Sequence, residues 1–308
     1  MKAVLLTGHG GPEMLRYGDA PDPTAAPGEV VVDIYAASVN AADYKVRRGG
    51  GTYGNIRFPH ILDRDFSGVV SAVGGEVTDL AVGDAVFGVT EQGVEGAYAE
   101  KIAIKATIIA RKPDRLGHAE AAAMGLTSLT ALWAIEDTAR LNSGETILIQ
   151  GGAGGVASFG IQLAKHLGAT VITTASAANH SYVRSLGADR MIDYSAEDFA
   201  TAVSTCDVVF DTVGGDVRSG CYAVLRPGDR LVWIAPGPEG FRPPRSDVET
   251  LRPNVLRDRA HLERMLALLD VGAVRPPTIV LYKLDDASEA HRVSESRHLQ
   301  GKLVFEVR

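Results

Sequence analysis

Two cysteines in 308 residues, Cys206 and Cys221, are too few for a disulfide framework and stand in no C-x-x-C arrangement, so a reducing, cytoplasmic setting is expected. Positive charge is also short: 31 Lys and Arg against 38 Asp and Glu give a net charge of −7 and a pI near 5.6. Domains that bind nucleic acid usually show a basic patch and a pI above about 9, so that class of partner is excluded. Long apolar runs are missing as well. The most apolar segment, 119–135, carries Glu120 and several hydroxyls. It falls short of the roughly 20 residues of a membrane span and reads as a buried helix, so no membrane partner is expected. The opening MKAVLLTGHGG holds one lysine and a four-residue apolar run. A secretory h-region needs about 7–15 apolar residues, so this start reads as a strand.

What is present is an average globular composition, 45% apolar and 22% charged, enough for a sizeable core. The length suits two domains at roughly 100–200 residues each. Two textures divide it. Residues 1–120 are strand-like runs (AVLLT, EVVVDIYAAS, SGVVSAVG, GDAVFGV, YAEKIAI) cut by glycine-rich turns, as in an all-β unit. Residues 121–272 alternate short apolar strands with helical patterns: TILIQ before SFGIQLAKHLGA, TVITTA before HSYVRSLGA, DVVFDT before DVRSGCYAVL. That rhythm predicts βαβ units and a parallel sheet with both faces covered. Residues 273–308 return to strand-like texture (PPTIVLYKL, GKLVFEV) and are assigned to the first domain. The expected class is α/β: a β domain plus a doubly wound parallel sheet, with the C-terminus returning to the β domain.

The segment TILIQGGAGGVASFGIQLAK carries the strongest motif. Gly152-Ala153-Gly154-Gly155-Val156-Ala157 fits G-x-G-x-x-G/A after a strand and before a helix. In that pattern the first glycine serves a tight turn, the second lets the backbone approach a pyrophosphate, and the third small residue lets helix and strand pack. The helix N-terminus then offers free N–H groups and a positive dipole end to phosphate. A dinucleotide is the expected ligand. NAD sites usually place Asp or Glu at the end of the second strand, on the ribose 2′-OH. Here that strand ends in Ala175-Ser176, and the next carboxylate along the chain is Asp189. A 2′-phosphate meets no repulsion there, and Ser176, Asn179, His180 and Arg184 offer donors and charge; NADPH is favoured.

Several further segments resemble one family. SVNAADYKVRRG (38–49) is similar to the Asn-x-x-Asp-x-x-x-Arg segment of the zinc-independent quinone oxidoreductases, the zeta-crystallin-like group of the medium-chain dehydrogenase/reductase superfamily. FPHILDRDFSGVVSAVG, EGAYAEKIAI, GGAGGVASFGIQLAK, SLGADRMIDY, FDTVGG and HLQGKLVFEV match as well, so the resemblance covers essentially the whole chain. Two departures stand out: Asp63 where the family usually has glycine, and Ala157 for the last glycine of the turn.

The resemblance implies a GroES-like β domain, a Rossmann domain, a homodimer, and NADPH-dependent reduction of quinones or other α,β-unsaturated carbonyls. It implies a site role for Asn40, with Tyr44, Lys45, Arg47 and Tyr53 following on the same loop; Lys45 stands where bacterial relatives often carry tyrosine. Cofactor contacts are implied at Thr130, Asp211, Thr212, Val213, Ile234, Ala235 and Lys302. No metal is expected. The zinc branch of the superfamily has cysteine at the place of Asn40 and Gly-His-Glu at that of Asp63-Arg64-Asp65, and asparagine and arginine are not ligands of such a zinc site. Without a Lewis acid, hydride is best accepted by a conjugated carbonyl that spreads the charge. Two alternatives stay open: an enoyl-thioester or secondary-metabolism tailoring reductase of the same fold, and a crystallin-like protein that binds NADPH without turnover.

Overall fold

The computed structural model describes residues 1–50 and 56–308. The described chain forms two compact units: Met1–Leu126, Leu256–Met265 and Pro276–Arg308 make the first, Thr127–Val255 and Leu266–Arg275 the second.

The first unit is mainly β. Its strands are β1 (Lys2–Leu6), β2 (Leu15–Asp19), β3 (Glu29–Ser38), β4 (His60–Ile61), β5 (Asp65–Val73), β6 (Ala85–Val89), β7 (Lys101–Lys105) and β8 (Ile109–Arg111). β1 pairs antiparallel with β2 and β4 in a small sheet, and β3 organises the larger one. β3 pairs along its length with β5, while its first half, Glu29–Asp33, also pairs with β7. The run EVVVDIYAAS suits that place, because β-branched residues pack well on a pleated surface and nearly every one is buried. Val30, Val32, Ile34, Phe66, Val86, Ile109 and Phe305 share one core cluster. Helix α1 (Ala41–Arg47) follows β3 directly, and α2 (His118–Leu132) opens after β8.

The second unit holds β9 (Thr146–Ile149), α3 (Gly155–His166), β10 (Thr170–Ala175), α4 (His180–Ser185), β11 (Arg190–Asp193), α5 (Phe199–Ala202), β12 (Cys206–Asp211), α6 (Val217–Cys221), β13 (Leu225–Trp233) and β14 (Glu249–Leu251). All its strands are parallel, in the order β11-β10-β9-β12-β13-β14. Renumbered within the unit, that is 3-2-1-4-5-6, the doubly wound order whose direction reverses between the first and fourth strands. The strands are continuous apolar runs, as burial on both faces requires: Ile147–Ile149, Val171–Ala175 and Val208–Asp211 are buried.

After α7 (Arg259–Asp270) the chain adds β15 (Ile279–Lys283), α8 (Ala287–Ser296) and β16 (Lys302–Glu306) to the first unit. β16 joins β3 antiparallel, Val304 opposite Ser38, and β15 lies outside it in parallel. The expected return of the C-terminus to the β sheet is what the pairing shows. The free cysteines are both buried, and burial pushes the Cys206 thiol up to about 12 and Cys221 up as well. Among the described residues no helix is long and apolar enough to cross a membrane.

Candidate active site

In the α/β unit the glycine turn sits at the carboxyl end of β9, beside the end of β12, where the strand order reverses. Open α/β sheets bind ligands at such a switch point. Thr174 ties the turn to β10: it receives the Gly151 N–H on Oγ1 at 3.0 Å and the Gly152 N–H on its carbonyl at 2.9 Å. Its hydroxyl donates to Gln150 Oε1 at 2.6 Å, and Thr212 Oγ1 donates to the Gln150 carbonyl at 2.7 Å, joining the β9 and β12 turns.

The glycines divide their work differently from the sequence expectation. The left-handed residue of the tight turn is Gly151 (φ +70°), one position before the motif. Gly152 is required because a Cβ there would lie 2.2 Å from Thr173 Oγ1. Gly154 is another matter. It is the N-cap of α3 in extended conformation (φ −76°), which any residue adopts, and a Cβ on it would meet only the Gly151 carbonyl, at 3.4 Å. Nothing among the described residues demands glycine there. A group that must come close to the backbone from outside does. Gly155, Val156 and Ala157 form the first turn of α3, whose N–H groups have no partners within the helix. A cradle kept clear of side chains at a positive helix end fits a pyrophosphate.

At the end of β10, Ser176 accepts from Asn179 Nδ2 at 3.1 Å, and His180 Nε2 lies 3.3 Å from the Ala175 carbonyl. Arg184 is exposed on α4, one turn beyond His180. The structure brings two more groups here through β11. Asp193 pairs in register with Ala175, so a carboxylate does stand beside this strand end, though it is engaged by the Ser195 N–H (3.0 Å) and hydroxyl (2.7 Å). Tyr194 follows it and is 54% exposed. The step from β10 to β11 is what hid them; only the register reveals it.

The remaining cofactor candidates separate. Thr130 is buried in α2. Thr212 and Ile234 are half-buried and Val213 exposed, at the ends of β12 and β13. Asp211 and Ala235 are engaged within the chain. The Asp211 carboxylate is wholly buried and already taken by Val213 N–H (2.9 Å), Gly214 N–H (2.8 Å) and Arg218 Nε (2.5 Å). It builds its turn. Ala235 offers its carbonyl to Arg218, whose guanidinium lies 4.7 Å from the Trp233 ring. Arg218 thereby fastens the turns after β12 and β13 together, a role the sequence reading missed.

The β unit holds the other polar centre. Asn40 caps α1, so the residues expected on a loop lie on a helix, and Asp43, Tyr44, Val46 and Arg47 are buried while Lys45 is half-buried. Tyr53 lies outside the described residues. Asn40 Nδ2 donates to Asp63 Oδ1 (3.1 Å) and Asp65 Oδ2 (2.7 Å), and its Oδ1 accepts from Lys302 Nζ (2.6 Å). Both amide hydrogens are therefore engaged within this unit. Lys302 also donates to the Val39 carbonyl at 2.8 Å and is buried, so its ammonium is part of this cage. Arg47 is fully buried against the Gly10 carbonyl (2.5 Å), His291 Nδ1 (3.3 Å) and Glu295; its guanidinium is structural.

Four acids crowd this cage: Asp43, Asp63, Asp65 and Glu95. Burial pushes the Asp43 carboxyl up to about 7 against the pull of Arg64. Asp63 is pushed well above the usual carboxylate range by burial and by the charges of Asp43 and Asp65. It also adopts a left-handed backbone (φ +75°), where glycine is at ease and Asp is tolerated. Among the described residues no group of three or more His, Cys, Asp or Glu is arranged to hold a metal ion.

Two family models match the chain: "Alcohol dehydrogenase GroES-like domain" over residues 26–114 and "Zinc-binding dehydrogenase" over 186–305. The chain is 33% identical to a chloroplastic NADPH-dependent alkenal/one oxidoreductase of Arabidopsis thaliana, across 99% of this chain and 79% of that protein. It is 32% identical to a quinone oxidoreductase of Pseudomonas aeruginosa, across 99% of both. The solved quinone oxidoreductase of Coxiella burnetii superposes with a TM-score of 0.93 at 34% identity, over 100% of this chain and 99% of that one. Its GroES-like β unit, its 3-2-1-4-5-6 sheet and these end-to-end similarities together make the chain a member of the quinone oxidoreductase group of the medium-chain dehydrogenase/reductase superfamily.

Proposed function

We propose that this protein is an NADPH-dependent oxidoreductase that reduces quinones or other α,β-unsaturated carbonyls. The observation that carries the reading is Gly154: a cap position whose glycine no atom of the described residues explains, at a helix N-terminus on the switch point of a dinucleotide-type sheet. Gly154, Gly155, Val156 and Ala157 would hold the pyrophosphate on backbone N–H groups, and Ser176, Asn179, His180 and Arg184 the 2′-phosphate. Bound there, NADPH supplies a hydride from the nicotinamide, so that with one proton a quinone leaves as hydroquinone. The relatives' names, alkenal/one and quinone oxidoreductase, support the same substrate class.

The reaction we infer uses no zinc, although one matching family model is named for it. The donor set is the support. Asn40 is an amide bonded to two carboxylates and a lysine, and the Arg64 guanidinium pairs with Asp43 and Glu95 where a zinc site needs ligands. A conjugated acceptor suits such a site, because it stabilises the added charge itself. A homodimer in the cytoplasm completes the reading, supported by two buried free thiols and by the frequency of two-fold assemblies.

The test is a stopped-flow panel of NADPH and NADH against quinones, 2-enones and simple aldehydes, with and without EDTA. Oxidation of NADPH by quinones or enones, tens-fold faster than by aldehydes and unaffected by EDTA, is expected. Turnover confined to aldehydes, or abolished by chelation and restored by zinc, would overturn the proposal.

A further inference from the structure

The Asn40 main chain is held from a direction that its side chain does not share. Its N–H donates to Asp43 Oδ2 at 2.7 Å. The same oxygen receives the Tyr98 hydroxyl at 2.9 Å, and Arg64 donates to the other oxygen at 3.3 Å. Beyond Tyr98 stands His291 of α8, with Nε2 3.3 Å from the phenolic oxygen. The second ring nitrogen, Nδ1, faces Arg47 Nε at 3.3 Å.

Those contacts fix the direction of every bond. An arginine Nε carries a hydrogen it does not give up, so His291 Nδ1 must present a lone pair. The neutral ring then bears its proton on Nε2. Tyr98 has committed its own hydrogen to Asp43, so its oxygen accepts from His291. Burial, with the adjacent Arg47 charge, pulls His291 down to about 3, which keeps the ring neutral. Edge-on contacts from Tyr98 to His291 (5.8 Å) and Phe305 (4.9 Å) hold the phenol in place.

We propose that His291, held as the Nε2–H tautomer, is a positioning residue for Asn40, acting through the relay Arg47 to His291 to Tyr98 to Asp43 to Asn40. The relay leaves α1 at its last residue, Arg47, and re-enters it at Asp43 in its first turn. It therefore clamps both ends of the helix that Asn40 caps, using partners 55 positions away at Asp43 and 244 away at Arg47. The inference rests on the reading above in one respect: Asn40 matters to turnover only if this unit serves the acceptor.

Two measurements test it on the intact protein. Nitrogen-15 NMR of the histidine rings should show His291 with Nε2 protonated and Nδ1 bare; the opposite tautomer, or a doubly protonated ring at neutral pH, overturns the relay. In kinetics, His291→Leu and Tyr98→Phe should lower kcat for NADPH-dependent quinone reduction about tenfold or more, with KM for NADPH changed less than about twofold. His291→Gln, which keeps a donor and an acceptor side by side, should recover kcat to within about threefold of the parent. Equal losses in the Gln and Leu variants, or a loss carried by KM for NADPH, would overturn it. A parent protein that turns over no quinone or enone would sink the proposed function, while the NMR result would still decide the relay.

Discussion

The two units treat their polar groups in opposite ways. At the glycine turn of the α/β unit the donors are main-chain N–H groups at the start of α3, and the backbone around them is kept bare at Gly154. Around Asn40 in the β unit the polar atoms belong to side chains and are bonded to one another: Lys302, Asp63, Asp65 and Ser38 on one side, Asp43, Tyr98 and Arg64 on the other. The first arrangement is incomplete without a guest. The second is closed on itself but for Asp63 Oδ2. A buried polar network holds a unique geometry only when nearly every member is satisfied, so the cage is built for rigidity, whereas the turn is built for reception.

That contrast breaks most readily at Lys302. In the cage it is the cation beside Asp65 and the donor to Asn40 Oδ1. Replacing it with Met should leave buried acceptors and negative charge uncompensated, at a loss of about 3–5 kcal/mol in urea denaturation. NADPH affinity should stay within about threefold, since the proposed phosphate cradle belongs to the other unit. If NADPH binding collapses while stability holds, Lys302 belongs to the ligand after all and the cage is not closed.

Gly154 and Gly152 sharpen the same contrast from the other side, with the next largest effect. Gly154→Val should weaken NADPH about 100-fold in a fluorescence titration, equivalent to about 2.7 kcal/mol. It should cost only about 1 kcal/mol of stability, the usual penalty of a poor cap. Gly152→Ala should reverse the pattern, because its Cβ strikes Thr173: a loss of about 1–3 kcal/mol in stability comes first. Identical profiles for the two glycines would mean that the turn is merely tight and was never shaped around a phosphate.

How much of this was legible follows from range. The strand, turn and α3 lie within about twenty consecutive residues, so their periodicity and glycines declare them, and the alternation of elements foretold the parallel sheet. Asn40 and Asp43 also left a local sign, since an Asn followed three positions later by an acid is a helix-start pattern; with it, α1 need not have been taken for a loop. The rest is long-range. Asp193 and Tyr194 reach the end of β10 only through strand register, and Asn40, Asp63, Tyr98, His291 and Lys302 meet from five separate stretches of chain. No spacing rule connects them. The same holds for Arg218, whose importance lies in joining the Asp211 carboxylate to the Ala235 carbonyl.

The smallest predicted effect concerns Asp63, the acid in a left-handed position that the family usually gives to glycine. Its Oδ2 is buried with no partner among the described residues, and burial with Asp43 and Asp65 nearby raises its pKa in the folded state. A folded chain that holds this proton more tightly than the unfolded chain gains stability below about pH 3.8 and loses it as pH climbs through the raised value. An asparagine side chain in its place would keep the shape, tolerate the same backbone angle and carry no titrating group. The stability of Asp63→Asn relative to the parent should therefore improve as pH rises from about 4 to 8, by on the order of 1 kcal/mol. Paired thermal melts across that range read the slope directly. A slope of the opposite sign would mean that Asp63 is ionised and held as an anion by Lys302, and the cage would then be tied together by charge.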